Sequence, residues 1–211
     1  AYFETNNYTY KEYNLADTKD GILIRTNYSH SGRVDDDGMG YIREQNMKEL
    51  VVSHLKKKDF TPATFTEDFS RRFYHSLLEK DYTNSGEKWI IDQDFIPRRS
   101  STATTVIEGV KPGENPLLTT MWIGIGYPPC SYTLPVMIDS VPQELRPQGK
   151  FWRSPLCDEI VGRKHQVFSI KRGSGKYYID MDVVRRYTTK GRQQSLENYK
   201  KGYKMREEKA K

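Results

Sequence analysis

The chain has 211 residues, 36% of them hydrophobic and 12% aromatic, with 15 Tyr. That length and that aromatic content fit one domain with a core, or a large piece of a bigger one, and argue against a disordered chain. The net charge is +6, but residues 183–211 hold ten Lys/Arg and three Asp/Glu, which is +7; the remainder carries 24 Lys/Arg against 25 Asp/Glu, which is −1. A nucleic-acid binder spreads its cations over a folded face. Here they crowd one terminal segment, so nucleic acid is not expected as a partner, and the segment reads as a solvated helix or tail.

In chain order, residues 2–5, 8–13 and 22–26 are rich in Tyr, Ile and Thr and are predicted as strands, with turn signals at Asn6-Asn7 and 17–21. A loop at 29–32 and the acidic run 35–38 lead into a helical pattern, in which Met47, Leu50, Val51 and Leu55 share one face. Lys56, Lys57 and Lys58 suit the negative end of that helix. A second helix is predicted from Thr64. Thr64 and Glu67 have capping-box spacing, and Phe65, Phe69, Phe73 and Leu77 repeat every four residues as its buried face.

From Trp89 the pattern returns to strands, at 103–108, 118–125 and 131–138, separated by Pro112-Gly113 and Pro128-Pro129. A loop with three prolines spans 141–155, a short helix is predicted at 157–165, and 167–170 with 176–179 form a hairpin over Gly173-Ser174-Gly175. The last segment is helical, interrupted at Gly191 and Gly202. Strands, helices, then strands again predict an α+β fold, with residues 1–182 as its body and 183–211 as a basic tail.

Several familiar sites fail on inspection. His30, His54, His75 and His165 lack zinc spacing, so no metal is expected. Asp35-Asp36-Asp37-Gly38 with Glu44 resembles part of a calcium loop, but the first ligand position falls on Arg33. Gly173-Ser174-Gly175-Lys176 lacks the length and the Ser/Thr of a phosphate loop. Cys130 and Cys157 permit a disulfide without implying one, which leaves the compartment open. No apolar run approaches the ~20 residues of a membrane span. The opening Ala1-Tyr2-Phe3-Glu4-Thr5 reads as a strand already under way, so a segment upstream is expected.

Two segments carry chemistry. In Ile24-Arg25-Thr26-Asn27 an apolar strand runs into an Asn whose amide could donate to a developing oxyanion; the alternative is a strand ending in an Asn turn. In Arg98-Arg99-Ser100-Ser101 the arginines precede a strand and could hold a carboxylate through two parallel hydrogen bonds; the alternative is an exposed strand start.

These segments, with residues 2–7, 100–109 and 122–135 (including Gly126-Tyr127-Pro128-Pro129-Cys130-Ser131), resemble the later part of N-terminal-nucleophile (Ntn) hydrolases. The bacterial relatives of isopenicillin N acyltransferase are the most similar group; the linear amide hydrolases, penicillin V acylase and bile-salt hydrolase, are more distant. The resemblance covers residues 1 to about 172. It implies a four-layer αββα sandwich and cleavage or transfer at a non-peptide C–N bond of a small-molecule amide. It also implies an N-terminal Cys, exposed by precursor processing, whose own α-amino group is the base, and it calls for no cofactor. Asn27 takes the place of the family's substrate-carbonyl donor. The chain departs at three points. Residue 1 is Ala, which has no nucleophilic group, so the nucleophile is expected on the upstream segment. Tyr28-Ser29 stand where many relatives have proline. The arginine that follows a Ser-Ser run in bile-salt hydrolases is out of register, with Arg98 or Arg99 as its replacement. The other expectation is a non-catalytic binding module on the same scaffold.

Overall fold

The structure, a computed structural model, describes Thr18, residues 21–26 and residues 40–211. The strands predicted at 2–5 and 8–13, the loop at 29–32 and Asn27 lie outside the described residues. Residues 22–26 form no strand ladder, contrary to expectation. Their exposure still alternates with period two, and Ile22 and Ile24 pack inward. The alternating pattern records which side faces the core, whereas a strand also needs a pairing partner.

Helix α1 (Tyr41–Lys57) forms where the 3.6-residue pattern predicted it. Leu50 and Val51 are buried with Phe69, and Met47, Leu55, Phe60 and Phe65 close around them. Asn46, fully buried, fixes the helix to two other segments: its amide donates to the Asp94 carbonyl at 2.9 Å and its oxygen accepts from the Ser76 N–H at 2.7 Å. The predicted second helix is shorter than expected. One π-helical stretch (Thr64–Asp68) and a 3₁₀ turn (Phe69–Arg71) are followed by extended backbone at Arg72. The capping box does not form. The Thr64 hydroxyl accepts from the Thr61 N–H at 3.0 Å, and Glu67 instead accepts from Arg71 at 3.1 Å and from the Thr133 hydroxyl at 2.9 Å. Phe69 and Phe73 are buried, but Leu77 is 72% exposed because the helix has ended before it.

Among the described residues the paired strands are all antiparallel. A short ladder pairs β1 (Tyr74–His75) with β2 (Lys80–Asp81). Strand β3 (Trp89–Ile91) belongs to a sheet completed late in the chain. Strands β4 (Ala103–Glu108), β5 (Thr120–Ile125) and β6 (Leu134–Met137) form a meander in that order, in register from Ala103↔Ile125 to Glu108↔Thr120. On β5 the residues alternate between full and partial burial, and Trp122 is the largest fully buried side chain. Helix α2 (Pro155–Val167) follows the Ser154 cap, whose hydroxyl accepts from the Cys157 N–H at 3.1 Å. It buries Leu156, Ile160 and Val167. Gly126 (φ 83°) lies under Ile160, and a Cβ there would come within 2.4 Å of that side chain. A hairpin forms over the predicted turn as β7 (Lys171–Gly173) and β8 (Lys176–Asp180), but the first arm expected at 167–170 instead holds the end of α2 and the turn after it; β8 also pairs β3, giving the order β3-β8-β7.

Helix α3 (Met181–Lys209) corrects the reading of the basic segment as solvated. It is helical as expected, but Met181, Val184, Thr188, Gly191, Ser195, Tyr199 and Gly202 form a buried stripe along it. Tyr199 and Tyr203 cover Trp122, with ring centroids 4.7 and 5.1 Å away. The Thr188 hydroxyl donates to the Pro129 carbonyl at 2.9 Å, the Ser195 hydroxyl accepts from the Thr133 N–H at 2.9 Å, and Asn198 donates to the Thr133 carbonyl at 2.8 Å. Lys190, Lys200, Lys201 and Lys204 lie on the solvated side, as an amphipathic helix requires, whereas Arg185 donates to the Glu87 carbonyl at 2.8 Å and Arg206 pairs with Glu108 at 3.3 Å. Neither glycine interrupts the helix; each is a notch, Gly191 for the Ser131 carbonyl and Gly202 for the Trp122 ring. Helices and antiparallel sheets together make the described chain α+β. No helix among the described residues is long and apolar enough to cross a membrane.

Candidate functional site: a basic cleft before strand β4

Arg98 and Arg99 lie in a turn between the buried Phe95 and β4. The Ser101 N–H donates to the Arg98 carbonyl at 2.8 Å, and the Ser101 hydroxyl accepts from the Arg98 N–H at 3.2 Å. Both carboxylate oxygens of Asp92 accept from the Arg99 N–H, at 3.2 and 3.4 Å. This turn forms one wall of an open cleft of about 770 Å³. Helix α1 contributes Arg43, α2 contributes Lys164, and the β7-β8 hairpin contributes Arg172, Lys176 and Tyr177. The Asn46 bonds that fix α1 to the Asp94 backbone also set Arg43 beside the Asp94 carboxylate, at 3.4 Å.

Among the described residues, six cationic side chains thus face two carboxylates, Asp92 and Asp94. Arg43–Asp94 is the one ion pair within the cleft among the described residues. The Arg99 guanidinium stacks on Tyr177, 4.2 Å from the ring centroid, which orients its plane and leaves its N–H edges to hydrogen-bond. Burial, then the nearby Arg99, holds the Lys164 ammonium below the usual lysine range. Burial, then Arg98, lowers Arg43 against the pull of Asp94. Burial pushes the Asp92 carboxyl up, against its bond from the Arg99 N–H and the charges of Arg99, Arg98 and Lys164. A second hollow of about 520 Å³ shares Arg99, Lys164 and Tyr177 and adds His165 and Lys171, so the cleft continues along α2.

Cys130 and His54, two other nucleophile or base candidates, are committed elsewhere. Cys130 is fully buried, and burial pushes its thiol up to about 12, so it is not a nucleophile at neutral pH. Cys130 and Cys157 are both free thiols. Both ring nitrogens of His54 face carboxylates, Nδ1 to Asp59 at 2.6 Å and Nε2 to Asp68 at 3.1 Å, which ties the end of α1 to the turns after it. No group of three or more His, Cys, Asp or Glu among the described residues could hold a metal ion.

The sequence singled out Arg98 and Arg99, and the fold brings them together with four further cations. Arg43, Lys164, Arg172 and Lys176 share no motif with them or with each other. The only advance signal was the Arg98-Arg99 pair itself, because the rest converge through tertiary packing. Asn27, the other predicted site residue, lies outside the described residues. No protein-family model, no curated protein and no solved structure matches this chain.

Proposed function

We propose that this chain is the C-terminal segment of an Ntn-type amide hydrolase or acyltransferase acting on a non-peptide C–N bond, and that its basic cleft holds an anionic group of the substrate. The reaction class rests on the sequence resemblance. The supporting observation is the convergence of Arg98 and Arg99 with Arg43, Lys164, Arg172 and Lys176 around one opening. A guanidinium pair of this kind binds a carboxylate through charge-assisted hydrogen bonds and orients the rest of the molecule. The four-layer sandwich belongs to the same proposal; in its support, the resembling stretches 100–109 and 122–135 supply the neighbouring strands β4, β5 and the start of β6.

In this reading the nucleophile is a Cys outside these 211 residues. Its α-amino group, which titrates near ~8, takes the thiol proton as sulfur attacks the amide carbonyl. Asn27 donates to the oxygen as it becomes negative. The proton then goes to the departing amine, and water or a second acceptor releases the acyl group.

The second reading is a binding module without catalysis. It is favoured by the same cleft, which needs no nucleophile to hold an anion. The complete open reading frame, expressed and checked for processing by mass spectrometry, separates the two. Release of free amine from N-acylated amines supports the enzyme; a processed protein that binds anions and releases none is the module.

A further inference from the structure

The charge of the cleft comes from the fold and not from composition. Outside residues 183–211 the chain is almost balanced, with 24 Lys/Arg and 25 Asp/Glu. Yet, among the described residues, four separate segments bring six cations and two carboxylates to this one opening. Asp94 is already paired with Arg43, and Asp92 directs both oxygens to a backbone N–H. Arg98, Lys164, Arg172 and Lys176 have no ion-pair partner among the described residues. A folded chain that gathers like charge without neutralising it has a site that an anion completes. Among the described residues the excess is four charges; a single carboxylate would cancel one of them and leave most of the repulsion in place.

We infer that the cleft is built for a compact multivalent anion, a group carrying two or more negative charges such as a phosphate, pyrophosphate or polycarboxylate. Arg99 offers a planar fork held against Tyr177, suited to two oxygens of one group. Lys164 offers a point charge on the wall shared by both hollows. The continuation past Lys171 and His165 gives room for the part of the ligand that bears the anionic group. The inference rests on the cleft being the ligand site proposed above, but not on amide chemistry.

Isothermal titration of the 211-residue chain at low ionic strength tests it, with pyrophosphate, citrate, acetate and a short oligothymidylate as probes. Pyrophosphate or citrate is expected to bind one to one and at least about tenfold more tightly than acetate, since the attraction scales with ligand charge. Preference for pyrophosphate assigns a phosphate-bearing ligand, and preference for citrate a polycarboxylate; either result supports the site. Arg98→Gln with Lys164→Gln should weaken that binding at least about tenfold. Lys190→Gln with Lys204→Gln, an equal loss of charge on α3, should leave it unchanged. Equal affinity for acetate, binding of the oligonucleotide alone, no binding of any probe, or equal loss in the α3 variant would overturn the inference. The comparison of probes needs no variant, so it stands even if the cleft variant fails to fold. Anion binding without amine release by the complete protein would count against the amidase and leave this inference intact.

Discussion

Gly191→Ala is normally a favourable change inside a helix, and here it should destabilise. Alanine gains about 0.8–1.0 kcal/mol of helix propensity over glycine. A Cβ at position 191 would lie 2.2 Å from the Ser131 carbonyl oxygen and 2.9 Å from Arg71 Nη1. Optimal non-bonded separations are roughly 3.5 Å, so something must move by about 1 Å. Little can move. Ser131 and Arg71 are buried, and the bonds of Thr188 and Ser195 hold α3 to the same stretch on either side of Gly191. Overpacking of this kind costs about 1–3 kcal/mol, and the clash with backbone places it at the upper end. The net loss is about 1–2 kcal/mol, or about 2–8 °C in Tm for a domain of this size. Gly162→Ala is the control: that residue is on α2, and nothing lies within 4 Å of its Cβ position. It should gain up to about 1 kcal/mol and melt about 2–4 °C higher. Urea and thermal unfolding of both variants, followed by circular dichroism, reads the two signs. A Gly191→Ala protein as stable as the unchanged chain would refute the docking of α3.

In native protein at pH 8 a disulfide-exchange reagent should modify Cys157 and spare Cys130, with both reacting in denaturant; rapid loss of both native thiols would contradict the buried, high-pKa Cys130. Burial raises the Asp92 carboxyl, so its contribution to stability is present below its unfolded pKa and lost as pH rises through its folded value. Asp92→Asn keeps an acceptor for the Arg99 N–H and should therefore stabilise at pH 7, give no gain near pH ~3, and tighten anion binding; denaturant melts across pH would show a constant difference if the reasoning is wrong. In the complete, processed protein Asn27→Ala should lower kcat about a hundredfold or more and change KM less, because an oxyanion donor acts on the transition state; a normal kcat in the folded fraction would return Asn27 to the role of a turn residue.

The strands β4, β5 and β6 and the helices α1 and α2 were legible because each has a hydrophobic pattern bounded by Gly, Pro or a cap; of the hairpin only the Gly-Ser-Gly turn and the second arm were, because the first arm, Lys171–Gly173, is exposed and carries no hydrophobic pattern. The packing of α3 was not legible from hydrophobicity. Its buried positions 184, 188, 191, 195, 199 and 202 follow helical spacing, but four of the six are Thr, Gly or Ser. Small residues bury a helix by letting backbone approach, and an apolar pattern does not mark them. The four-residue spacing of Phe65, Phe69, Phe73 and Leu77 misled for another reason: Phe73 reaches the core from extended backbone after the helix has stopped. The cleft was half legible. Arg98-Arg99 stands out as a pair, but its partners lie between 43 and 177 and meet only in the folded chain.

The most direct test compares one amide substrate carrying a carboxylate with its neutral methyl ester, in the complete processed protein and in its Arg98→Ala/Arg99→Ala variant. A hydrogen bond to a charged group contributes about 1.5–3 kcal/mol, so losing the pair should lower kcat/KM for the carboxylate at least about tenfold. The ester, which has no charge to place in the cleft, should react at nearly the same rate in both proteins. Selective loss for the charged substrate is the predicted result. Equal loss for both substrates, equal rates for both in the unchanged protein, or no amine released from either would contradict the account.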